Sequence, residues 1–128
     1  MIVLIGCTSD DKVENEQSII GNWKLIEVYL DPGDGSGNWS SVENGYTYNF
    51  SANGQFTSTR FSECSTGNYS LDSNQLTLAF DCDGFTTGIE DPEGTFVENY
   101  TFESNTIILV PTYIMCIEGC GWKFEKIN

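Results

Sequence analysis

A chain of 128 residues, 39% of them hydrophobic, can bury one modest core and forms a single domain. Five basic residues stand against 19 acidic ones, a formal net charge of −14; such a surface cannot neutralise phosphates, which excludes nucleic acid as a partner. The chain has no His, which removes His-based catalysis and His-ligated metal centres. The acidity suits solubility in an exposed, extracytoplasmic protein. Aromatics (3 Trp, 6 Tyr, 8 Phe), 13 Gly and many Thr, Ser and Asn imply short strands joined by turns.

Five Cys imply an oxidising compartment, and the odd number needs an explanation. The N-terminus offers one. Met1 to Gly6 is apolar and runs straight into Cys7. Leu4-Ile5-Gly6-Cys7 resembles the lipobox of bacterial lipoproteins, in which signal peptidase cuts before the Cys and acyl chains are added to it. Two or more chains on one residue give stable membrane anchoring, where a single chain is marginal. No Lys or Arg precedes Cys7, and the apolar run falls short of the roughly 7–15 residues of a signal-peptide core, so the natural start is expected upstream. The rival reading is a short N-terminal strand with a buried Cys; acylating Cys7 instead leaves four Cys, an even number for pairing. Residues 1–6 are thus expected to be the remnant of a signal peptide. Residues 7–18, polar and acidic, are expected to form a tether behind the lipidated Cys7. Ser9-Asp10-Asp11 resembles the surface-export signal of some Gram-negative lipoproteins. The expected location is the bacterial cell envelope, on the outer membrane.

From residue 19 the chain alternates apolar and polar in short runs. The first strand is predicted at 21–30. The second covers 46–50, with Tyr46, Tyr48 and Phe50 on one face, and Asn53-Gly54 turns it into the third, 55–61. The fourth, 68–71, turns through Asp72-Ser73-Asn74 into the fifth, 76–80. The sixth, 96–102, places Phe96, Glu98, Tyr100 and Phe102 on one face and turns through Glu103-Ser104-Asn105 into the seventh, 106–110, which Pro111 ends. The eighth is 122–127. The predicted fold is all-β: an eight-stranded antiparallel up-and-down barrel, closed so that no edge stays open. Tight turns gather at one end, and the long connections 31–45, 62–67, 81–95 and 111–121 at the other, where binding loops usually sit.

Gly21-x-Trp23 opens the first strand, eight strands follow, and Cys116-Ile117-Glu118-Gly119-Cys120-Gly121 precedes the last. That combination resembles small bacterial lipocalin-like envelope lipoproteins, over about residues 19–128. The chain is shorter than an ordinary lipocalin, it lacks the family's Thr-Asp-Tyr motif, and Lys126 or Lys123 stands in for the Arg that packs over the strand Trp. The resemblance implies carriage of a small apolar molecule, with Trp23 plugging the closed end.

Cys64, Cys82, Cys116 and Cys120 all fall at the long-loop end, where two disulfides would pin the loops. Cys64–Cys82 with Cys116–Cys120 is the preferred pairing; the other two connectivities stay open. A Cys₄ zinc site is disfavoured by C-x₃-C without a second close pair, and no metal is expected. Asp31 to Asn38 resembles a calcium loop but has no Glu at the EF-hand distance, and it reads as a turn.

No nucleophile elbow, phosphate loop or Ser/Lys dyad is present, so no enzyme and no cofactor are expected. A carboxylate-based glycan hydrolase ranks last, since it needs two carboxyls facing each other across a cleft. Glu98 and Arg60 are predicted to point into the barrel and pair, either to orient a polar ligand head or as structural filling, since two buried charges near each other tend to pair, with Glu27 joining them through the face of Trp23 and Leu25. The favoured function is a lipid-anchored envelope protein that holds a small, partly apolar ligand, with Tyr46, Tyr48, Arg60, Tyr69, Glu98 and Tyr100 as candidate contacts. The alternative is a structural lipoprotein with a filled barrel that docks a partner through its long-loop end, by an exposed aromatic patch including Trp39 or Tyr113.

Overall fold

The computed structural model describes residues 18–31, 36–114 and 120–127. The chain forms β1 (Gly21–Leu30), β2 (Asn38–Ser41), β3 (Thr47–Phe50), β4 (Gln55–Ser58) and β5 (Thr66–Asp72), all but β2 from alternating residues with strand propensity. They continue as β6 (Gln75–Phe80), β7 (Thr95–Glu103), β8 (Thr106–Pro111) and β9 (Cys120–Lys126). Each strand from β3 onward pairs antiparallel with the next, and β9 returns to β1, so the sheet closes. β2 and β3 share one edge of β1: β2 takes Glu27 to Leu30, and β3 takes Gly21 to Lys24. Together they make one interrupted stave, and the barrel has the expected eight.

β2 was not anticipated; 31–45 reads as one loop. Its Asn-Trp-Ser-Ser has a single apolar residue and no alternating signal, and pairing with β1 alone defines it. The third strand also stops at Ser58 rather than at residue 61. Beyond it the Arg60 amide donates to Ser58 Oγ at 3.0 Å, which turns the chain out of the ladder.

A bulge in β1 accounts for a larger departure. The pairing of β1 with β9 slips between Leu25 and Glu27. An extra residue moves every later side chain to the opposite face. Trp23 and Leu25 are buried, and after the slip Val28 packs against the core instead of Glu27. Glu27 lies on the outer wall, with its Oε1 3.2 Å from Lys123 Nζ, and does not join Arg60 and Glu98. Opposite the bulge, residues 42–46 step across β1: the Leu25 amide donates to the Tyr46 carbonyl and the Val42 amide to the Ile26 carbonyl, both at 2.9 Å. The step leaves no room at Gly45, where a Cβ would overlap the Leu25 carbonyl and lie 2.9 Å from the Leu25 Cβ.

The two ends differ as expected. One is closed by Asn53-Gly54, Ser73-Asn74 and Ser104-Asn105, with Ser73 (φ 54°) and Ser104 (φ 52°) in the left-handed region that such tight turns require. Trp23 plugs this end at 2% exposure. Its Nε1 donates to the Ile19 carbonyl at 2.8 Å, and Lys126 Nζ lies 5.4 Å from its ring centroid while donating to the Ser18 carbonyl. Between the ends the interior is filled by Tyr48, Phe56, Leu76, Leu78, Ile107, Leu109 and Phe124.

Candidate functional site

Above that filled waist, toward the long connections, sits a group of a different chemistry. Arg60 enters from the turn after β4, and its side chain is 14% exposed. Four aromatic rings surround the guanidinium: Tyr46 at 5.7 Å, Phe61 at 4.7 Å, Phe96 at 4.9 Å and Trp122 at 5.9 Å from their centroids. Rings around a desolvated guanidinium attract it through their π faces. Glu98, from the middle of β7, faces the group at 1% exposure, with Oε2 3.8 Å from Arg60 Nη1.

Phenol hydroxyls join the two charges. Arg60 Nη1 donates to Tyr48 Oη at 3.0 Å, and Nη2 donates to Tyr113 Oη at 3.3 Å. The Tyr113 hydroxyl in turn donates to Glu98 Oε2 at 2.7 Å. The other carboxylate oxygen, Oε1, is buried and has no hydrogen-bond partner among the described residues. A buried unsatisfied acceptor is uncommon, because it forfeits hydration without replacement.

Burial sets the protonation of the group. It pushes the Glu98 carboxyl up, and the Tyr113 hydroxyl and Arg60 pull it back without cancelling the effect. Burial likewise raises Tyr48 to about 12 and raises Tyr46 and Tyr113, so all three phenols keep their protons. Burial opposes the charge on Arg60, but its phenol neighbours outweigh it and the guanidinium stays charged. The group is a small polar cup with one cation, one carboxyl and three O–H groups, walled by apolar rings.

A family model described as "Lipocalin-like domain" matches residues 19–109, most of the barrel. The chain belongs to the lipocalin-like family. No curated protein matches it in sequence. Among solved structures, it is similar to a lipocalin-like protein from Bacteroides uniformis ATCC 8492 (21% identity, TM-score 0.55), over 84% of this chain and 97% of that one. It is also similar to an uncharacterized protein from Bacteroides eggerthii DSM 20697 (19% identity, TM-score 0.57), over 86% of this chain and 100% of that one. At these identities the likeness is one of fold.

In this lipocalin-like barrel, four of the six candidate contacts come together: Tyr46, Tyr48, Arg60 and Glu98. Tyr69 and Tyr100 do not join them. Their hydroxyls donate to the Ser51 carbonyl at 2.6 Å and the Ser73 carbonyl at 3.1 Å, stapling the turns of the closed end. Alternation identifies the face a side chain is on; it does not give the height along the barrel axis. Tyr113 and Trp122 complete the cup from the 111–121 connection and the head of the last strand, where nothing in the sequence ties them to Arg60. Tyr113, with its hydroxyl bound inside the cup, and Trp39, packed against Tyr29 and under Lys123, are both half-buried rather than an exposed patch.

Cys64 and Cys82 are joined in a disulfide that ties the 59–65 connection to the 81–94 connection. Cys120 is also disulfide-bonded. Its preferred partner Cys116, like the lipidation candidate Cys7 and most of the calcium-loop stretch, lies outside the described residues. Asp81 stands near the joined sulfurs, but a disulfide offers no thiolate to a metal. The 81–94 connection has an organiser that sequence reasoning missed. Glu90, 4% exposed, accepts hydrogen bonds from the Thr86 hydroxyl at 2.7 Å, from the Thr87 amide and hydroxyl, and from the Gly94 amide at 2.7 Å.

Proposed function

We propose that this lipocalin-like protein is a binding protein of the cell envelope, anchored through acyl chains on Cys7, whose barrel holds a small, partly apolar ligand at the Arg60–Glu98 cup. The observation that carries the proposal is the buried Arg60–Glu98 pair beneath the long connections. Burying two charges costs more than their attraction returns unless the surroundings are well arranged, and apolar side chains would fill a barrel as stably. A charged cup in an otherwise aromatic interior is economical where it orients a guest. Oxygens and N–H groups placed among rings are what ligand sites in barrel mouths use for orientation.

Native mass spectrometry of the full-length protein, extracted from its own membrane, tests both halves. The expected result is a complex heavier than the lipidated chain by one small molecule, lost on Arg60→Ala. A labelled palmitate chase should mark the wild type and leave Cys7→Ser unmarked. A bare, unlipidated chain would remove both halves.

The alternative, a filled barrel that docks a partner, draws on one feature of its own. An apolar groove of about 390 Å³ lies on the outer wall between Tyr29, Trp39, Ile108 and Val110, beside the long-loop end.

A further inference from the structure

Tyr113 places a ring edge-on against Phe96, with centroids 5.1 Å apart, and puts its hydroxyl between Glu98 and Arg60. That hydroxyl does two things at once: it donates to Glu98 Oε2 at 2.7 Å and accepts from Arg60 Nη2 at 3.3 Å. Beside it, Glu98 Oε1 is buried without a donor. Any guest that reaches the pair by displacing the Tyr113 phenol bares Oε2 and must replace what it removes.

The charges decide which head group can do so. Arg60 already faces Glu98, whose Oε2 lies 3.8 Å from Nη1, so a carboxylate guest would set a second carboxyl group against the first. An ammonium guest would satisfy Glu98 but be pressed against the Arg60 guanidinium. A neutral hydroxyl both donates and accepts, and the bond that it accepts from the charged guanidinium is of the stronger, charge-assisted kind. Phe96 packs edge-on against the Tyr113 ring, so a flat ring in that place meets the same apolar wall.

We infer that the cup takes a neutral aromatic alcohol, with one ring hydroxyl in the place of the Tyr113 phenol and a second, adjacent hydroxyl donating to Glu98 Oε1. The inference rests on the binding function proposed above and specifies the class of guest. Selectivity follows from what a mismatched guest leaves behind: a site built to hydrogen-bond a hydroxyl rejects the analogue that lacks it, because buried polar groups stay unpaired.

Calorimetric titration of the full chain at pH 7 with four naphthalenes tests the inference: 2,3-dihydroxynaphthalene, 2-naphthol, 2-methoxynaphthalene and 2-naphthoate. The expected order is diol, then naphthol, with each at least about tenfold tighter than the methyl ether and the carboxylate. Glu98→Gln, which keeps the side-chain volume, should shrink the gap between naphthol and ether; near-ultraviolet circular dichroism reports whether the variant keeps its packing. The wild-type series decides the matter even where the variant does not fold. Naphthoate binding as tightly as naphthol would overturn the aromatic-alcohol assignment and leave a binding protein of another specificity. No heat from any of the four, together with an empty chain in native mass spectrometry, would overturn both.

Discussion

Arg60 and Glu98 sit within one buried cluster, and their stability contributions are coupled. Truncating either alone strands the other's charge in a low-dielectric site, which typically costs about 3–5 kcal/mol. Arg60→Met with Glu98→Met removes both charges at similar volume and should cost clearly less than the two single changes added. Urea denaturation of the four proteins closes the cycle, and additive losses would show that the two side chains do not interact. Both residues are legible in the sequence for the same reason: each continues an alternating apolar face, Glu98 with Phe96, Tyr100 and Phe102, and Arg60 with Phe56. The same rule misplaces Glu27. It assumes an unbroken period of two, and the bulge after Leu25 breaks it.

Among the elements, the 81–94 connection shows how one side chain can stand in for a strand. Burial alone would push the Glu90 carboxyl up, but donors from Thr87, Thr86 and the Gly94 amide outweigh it and hold the group at about 2. An unfolded Glu titrates near 4.3. A depressed carboxyl stabilises the fold fully above that unfolded value, and the contribution is lost as pH falls toward 2. Glu90→Gln should therefore be destabilised relative to wild type at pH 7, with the gap closing by pH 2–3. Thermal midpoints across that range check it, and a gap that persists in acid would place the effect elsewhere. The comparison must be made against wild type, since Glu98 titrates in the opposite sense, its carboxyl being raised rather than lowered. Nothing in Thr86-Thr87-Gly88-Ile89-Glu90 announces this arrangement, because a carboxylate ringed by its own loop depends on the loop's path. β2 is illegible in the sequence for a related reason: Asn38, Ser40 and Ser41 around Trp39 become a strand only when β1 lies beside them.

At the scale of the whole molecule, closure of β9 onto β1 protects the sheet edges, and the Cys64–Cys82 disulfide ties two long connections at the open end. The bridge spans 18 residues, a loop whose closure in the unfolded chain should stabilise the fold by about 2–4 kcal/mol. Cys64→Ala with Cys82→Ala should lower the urea midpoint accordingly while leaving the barrel's far-ultraviolet spectrum in place. Loss of that spectrum would mean that the bridge holds the barrel itself.

The residues alone determined the class of fold, the eight staves, the tight and long ends, and the Glu98–Arg60 pair, because each follows from period-two alternation and turn chemistry acting over a few neighbouring residues. Tertiary structure decided the rest: the bulge that turned Glu27 outward, the descent of Tyr69 and Tyr100 to the closed end, and the arrival of Tyr113 and Trp122 around Arg60. Those outcomes depend on register between strands far apart in sequence, and register is fixed only when the last strand meets the first.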